Sequence, residues 1–181
     1  KVTAPDGTTV YTGEDITAGQ QLFLRRGLQQ YGSAMGHGGY LGPDYTADYL
    51  RRSADDIRGQ LDASGAREPA GATRDMLREN RLDSDSGELK FTAEQVVAFQ
   101  NATQYYGEFF GEDSTKYGLL PQMITDPQEI HQLTSFFSWM AWAAAAERPG
   151  HTYSYTNNWP SEPRVDNTPT ADILVWSGLS I

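Results

Sequence analysis

The run "TDPQEIHQLTSFFSWMAWAAAAE", residues 125–147, restricts the fold more than any other part of the chain. Ile130, Leu133, Phe137, Met140 and Ala144 recur in it, and Phe136 widens the stripe. That spacing follows the turn of an α-helix and leaves one broad apolar face to be covered. Asp126 can accept from the first free backbone N–H groups, and Pro127 suits the first helical turn, where no N–H is needed. Other runs also read as helices. Residues 15–32, "DITAGQQLFLRRGLQQYG", predict a helix with Leu22, Phe23 and Leu24 on its apolar face and an end weakened by Gly27. Residues 43–63 place Tyr45, Tyr49, Leu50, Ile57 and Leu61 at helical spacing. Residues 92–111 open on Thr92 and Gln95, a capping box before an apolar run. Residues 64–82 predict a short helix, and 83–91 a loop or small hairpin around Ser86-Gly87. At the start, "KVTAPDGTTVYTG" predicts a hairpin turning at Pro5-Asp6-Gly7. The sum is a mainly α domain with small β hairpins, without an internal repeat or a low-complexity linker.

Charge and residue usage remove several classes of function. The chain carries 24 Asp and Glu against 14 Lys and Arg, which argues against a nucleic-acid partner and against a polybasic membrane patch. It has no cysteine, so disulfides, thiol catalysis, Cys-ligated zinc, iron–sulfur centres and thioether-linked haem are excluded. His37, His131 and His151 lie far apart and make no His-x-x-x-His pair. No Gly-x-Ser-x-Gly and no Gly-x-Gly-x-x-Gly occurs. Asp44, Asp48, Asp55 and Asp56 read as a solvated helix face, with charge favouring the helix start.

The chain opens at Lys1 without a leader or an initiator Met, and is expected to be a piece of something longer. Near Asn167 the composition turns apolar. Thr168 and Pro169 are expected to open a last helix through "ADILVWSGLSI". Two units follow: residues 1–167, the domain, and residues 168–181, the first turns of a membrane helix. A spanning helix needs about 20 apolar residues.

Two stretches are unusual. "LQQYGSAMGHGGYLGPD", 28–44, spends five glycines around His37 and two tyrosines, as backbone does where something must come close. "YSYTNNWP", 153–160, reads as an aromatic edge between apolar and wet surroundings, or as the contact surface of a small-ligand module.

With their flanks, residues 19–52 and 119–181, these stretches closely resemble quinol-dependent nitric oxide reductases. The resemblance implies an extracytoplasmic (periplasmic) soluble domain of that membrane enzyme of denitrification, capping the haem-containing transmembrane core. The whole enzyme would reduce two nitric oxide molecules to nitrous oxide and water with quinol electrons, using haem b, haem b3 and non-haem iron. None of those ligands lies in these residues, so the domain itself is expected to be non-catalytic. The alternative kept beside it is an independent all-α extracytoplasmic ligand-binding module.

The same resemblance implies a cytochrome c-like fold. In the cytochrome c subunit of the two-subunit nitric oxide reductases, Cys-x-x-Cys-His precedes a Gly-Glu-Gly-Ala-Tyr segment by three residues. "GHGGY", 36–40, matches that segment with His37 in place of Glu. The same spacing puts Leu28 and Tyr31 at the two cysteine positions and Gly32 at the histidine position. "LPQMITDPQEI", from 120, is similar to the segment of the methionine ligand, with Leu120 at that position and Met123 close by. Covalent haem c is therefore expected to be absent, its place filled by Leu28, Tyr31 and Leu120. Finally, Gly38 and Tyr40 match positions that supply ligands to a calcium ion at the haem propionates. That ion is expected only in the whole enzyme, where it would hold the glycine loop against the haem edge.

Overall fold

The structure, a computed structural model, describes residues 1–39 and 41–179. Four short strands and six helices follow in the order β1 (Val2–Thr3), β2 (Thr9–Tyr11), α1 (Gly13–Arg25), α2 (Tyr45–Ala63), α3 (Pro69–Arg78), β3 (Leu82–Asp83), β4 (Glu88–Lys90), α4 (Ala93–Phe110), α5 (Pro127–Ala145) and α6 (Ala171–Leu179). The caps explain the boundaries. Asp126 accepts from Gln128 N at 2.8 Å, and Pro127 opens α5. Thr92 and Gln95 exchange hydrogen bonds of 2.9 and 3.3 Å at the start of α4. The start of α1 differs from expectation. Thr12 and Asp15 form a second capping box there, so the helix begins at Gly13. It ends at Arg25, with Gly27 left-handed at φ +63°. Helix α6 begins at Ala171, two residues later than Pro169 suggests.

Helix α5 is the hub, packing on α1, α2 and α4. Its stripe of Ile130, Leu133, Phe136, Phe137, Met140 and Ala144 is buried throughout. Gly19 lets α1 and α5 cross with their backbones in contact, since a methyl group there would lie 2.0 Å from the Gln132 carbonyl oxygen. Beneath the crossing, Tyr45 stacks on Phe137 with ring centroids 4.7 Å apart and 4° between planes. Phe23, Tyr106, Phe109 and Phe110 close around Tyr45 at 5.8–6.5 Å. Each well-placed aromatic pair contributes about 0.5–1.5 kcal/mol beyond its buried area.

The first hairpin forms as expected, residues 83–91 take the hairpin alternative, and the two join into one sheet of order β2-β1-β4-β3. The join is a parallel pairing of β1 with β4, Val2 opposite Leu89. A second correction concerns Asp48, which is buried rather than solvated. Arg51 Nη2 and Arg52 Nε donate to its two oxygens at 2.9 and 2.8 Å, and Tyr106 Oη donates at 3.2 Å. Arg52 in turn lies over the Tyr105 ring. Among the described residues no helix is long and apolar enough to cross a membrane. Residues 180 and 181, at the end of the expected membrane segment, lie outside the described residues.

Candidate functional site

The glycine loop leaves α1 through a short turn at Leu28–Gln30 and enters α2 at Tyr45. Asp44 holds both ends of it. Its Oδ2 accepts from Ser33 Oγ and from Gly36 N, both at 2.7 Å, while Oδ1 caps α2 by accepting from Ala47 N at 3.0 Å. Ser33 N donates to Pro43 O at 3.0 Å and Tyr45 N to Ser33 O at 2.8 Å, so the loop closes on itself. Met35 N donates to Thr46 Oγ1 at 2.9 Å. His37 is exposed, its Nδ1 paired with Ala34 O at 2.8 Å.

What comes close to the glycines is now identifiable. A methyl group on Gly32 would lie 2.5 Å from Pro43 O and 2.6 Å from Cε2 of Tyr45. One on Gly42 would lie 2.2 Å from Tyr31 O. Gly36, at φ +78°, meets Trp159, whose Nε1 would lie 2.2 Å from such a methyl group. The close partners are the loop's own backbone, the Tyr45 ring and the indole of "YSYTNNWP". Gly38, at φ +73°, has open space around it. Tyr40, the other expected calcium position, lies outside the described residues. Among the described residues no group of three or more His, Asp or Glu side chains is placed to hold a metal ion.

The residues at the four cytochrome positions do not fit a covalent haem. Leu28 is fully buried and Tyr31 packs half-buried on the core. At Gly32, where a ligating histidine would project, the Tyr45 ring stands in the way, itself wedged between Phe137, Phe109 and Phe110. Leu120 corrects the expectation of a filler, being 61% exposed. Backbone register is the cause. Leu119 N donates to Ser114 O at 3.0 Å, Gln122 N to Ser114 Oγ at 2.9 Å and Ile124 N to Phe110 O at 3.1 Å, which turns Leu119 and Ile124 inward instead. The large buried side chain beside Gly32 is Tyr45, which the sequence marks only as one member of a helical stripe.

The aromatic segment is a strap with its polar groups turned inward. Asn158 accepts from Ser154 N at 2.8 Å and donates to Thr168 O at 2.7 Å. Asn167, 1% exposed, donates to Ala144 O and Pro160 O at 2.9 Å and accepts from Glu162 N at 2.7 Å. The strap is thereby fixed to the end of α5, and Arg78 binds it from outside through Asp166 O and Thr152 O. Asn157 and Asn158 take left-handed backbone at φ 55° and 64°. Asparagine tolerates that region better than most residues, and the Asn-Asn pair is the available sequence signal. Tyr155 stays 40% exposed, its ring tilted against Trp142 at 5.1 Å. The two unusual stretches of the sequence therefore meet, at Gly36 and Trp159.

Compared with known proteins, residues 1–161 match the family model of the NorB cytochrome c-like domain of nitric oxide reductase. No curated protein matches the chain.

Proposed function

The chain belongs to the NorB cytochrome c-like domain family of nitric oxide reductase, and we propose that it is the haem-free, non-catalytic cap of a quinol-dependent enzyme. In that reading the parent converts two nitric oxide molecules and one quinol to nitrous oxide, water and quinone. Electrons reach its haem b, haem b3 and non-haem iron without passing through this domain. The domain stands on the periplasmic side of its own transmembrane core, which residues 168–181 begin to enter. It shields that face of the core. Gly38 and Tyr40 supply oxygen ligands to a calcium ion at the boundary, an ion that readily accepts backbone carbonyls.

The observation that carries the reading is the packing at Gly32. A cytochrome needs an imidazole and two thioethers there. This chain offers a glycine pressed against a fully buried, stacked tyrosine, and no cysteine anywhere. A domain without its own redox centre points to a donor that delivers electrons directly to the core, as a membrane quinol can.

Two measurements test it. Expressed alongside a haem c maturation system, the chain should carry no covalent haem, seen as no Soret band and no haem stain on a denaturing gel. A stained band would overturn the haem-free cap. Membranes holding the complete enzyme should consume nitric oxide with a quinol donor and not with reduced cytochrome c. The opposite preference would overturn the quinol assignment.

A further inference from the structure

Behind the sheet, between α2, α4 and α5, lies a narrow cavity of about 30 Å³. Ser53 and Trp142 both line it, and each carries a buried polar atom, Ser53 Oγ and Trp142 Nε1, without a hydrogen-bond partner in the protein. Neither atom is unpaired for want of an easy alternative. A hydroxyl inside a helix commonly bonds back to the carbonyl four residues earlier. Thr73, Thr103, Thr134 and Ser135 all do so here, at 2.8 Å. Ser53, 4% exposed, does not. The Trp142 ring is packed between Trp139, stacked on it at 4.7 Å, and Tyr155, tilted against it at 5.1 Å. Elsewhere on the wall, Ser138 is paired with the Tyr11 hydroxyl at 3.0 Å. One indole donor and one hydroxyl without a partner of normal geometry thus face a single space, with the Tyr49 hydroxyl beside the latter.

We propose that this cavity is a built water site, in which an ordered water accepts from Trp142 Nε1 and bonds Ser53 Oγ, tying α2 to α5. The volume suffices, since a water needs roughly 10–15 Å³ of such space and two to four polar partners. Tyr49 lines the same cavity, with its hydroxyl beside those of Ser53 and Ser138 but in no hydrogen bond of normal geometry with Ser53. An apolar occupant would leave both polar atoms unpaired. An anion would meet no cation among the lining residues.

The test begins with the unmodified, nitrogen-15-labelled chain in a water-selective cross-relaxation experiment. The Trp142 indole N–H, assigned by its loss in Trp142→Phe, should show a cross-peak to a long-lived water. Ser53→Val, which removes the hydroxyl and fills the space, should abolish it. In thermal unfolding, Ser53→Ala and Trp142→Phe should each lower Tm, and the double variant should lose less than the sum, because both changes act through one water. An absent cross-peak overturns the site. So does a rise in Tm on Ser53→Ala with additive behaviour, the signature of a dry cavity relieved of an unpaired hydroxyl.

Discussion

Gly32→Ala isolates the packing on which the cap reading rests. The added methyl group would lie 2.5 Å from Pro43 O and 2.6 and 2.9 Å from two Tyr45 ring carbons, where relaxed contacts are about 3.5–4.0 Å. Neither neighbour can yield cheaply. Pro43 O is held by Ser33 N at 3.0 Å, and the Tyr45 ring is stacked on Phe137 and fully buried. Overpacking of this kind costs about 1–3 kcal/mol. The loss of glycine freedom in the unfolded chain returns about 0.4–1 kcal/mol. The net centres on about 1.3 kcal/mol of destabilisation, a fall in Tm of about 3–5 °C for a domain of this size. Urea unfolding followed by circular dichroism should show a lower midpoint at unchanged slope. Gly59→Ala is the control. It lies within α2 with nothing near its missing methyl group, so helix propensity alone should stabilise the protein by about 0.5–1 kcal/mol. If Gly32→Ala also stabilised the protein, or left it unchanged, the space beside residue 32 would be open. Tyr45 would then not block the position of a ligating side chain at residue 32.

Further outcomes follow from the same geometry. Gly36→Ala combines a left-handed φ of +78° with the Trp159 indole. It should cost about 2–4 kcal/mol and shift tryptophan fluorescence, whereas Gly38→Ala, with open space, should cost about 1–2 kcal/mol and leave the fluorescence unchanged. Asn167→Leu strips partners from the backbone groups of Ala144, Pro160 and Glu162. At about 1–3 kcal/mol for a buried group left unpaired, it should cost at least about 2 kcal/mol, read from urea unfolding. Burial pushes Tyr49 and Tyr105 up to about 12 from an ordinary value of 10.0. Groups raised in the fold contribute stability that is complete below pH 10.0 and is lost as pH climbs toward 12. Tm should therefore fall across that window together with rising tyrosinate absorbance. A Tm that stays flat until above it would show these rings to be solvated.

What is legible in the sequence is local. Helix α5 follows from its stripe and from Asp126-Pro127, α4 from its capping box, and both hairpins from their turns, because each signal lies within a few residues of what it controls. The Thr12–Asp15 box is easily missed because its third position holds Asp instead of the Glu or Gln expected there. The parallel joining of β1 to β4 carries no local mark at all. Leu120 is misplaced inward by the spacing of a related motif, which fixes position along the chain, whereas inward or outward direction is set by hydrogen bonds to Ser114 and Phe110. Asp48 reads as solvated because its partners Arg51 and Arg52 read equally well as surface charge. The contact of Tyr106, which comes from another helix, is what reveals its burial. The glycine loop is marked by its composition as a place of close approach, and its partners emerge only in three dimensions.

The strap from Glu147 to Thr170 links the end of α5 to the start of α6. It is anchored at Asn158 and Asn167 before the chain enters α6, and Thr170 N is tied back to Asn157 O at 3.2 Å. Asn158 also holds Thr168 O, and Asn167 holds Ala144 O at the end of α5. Through Trp159 the same strap touches the glycine loop at Gly36. One unbroken run of contacts therefore joins the loop, the end of α5 and the approach to α6.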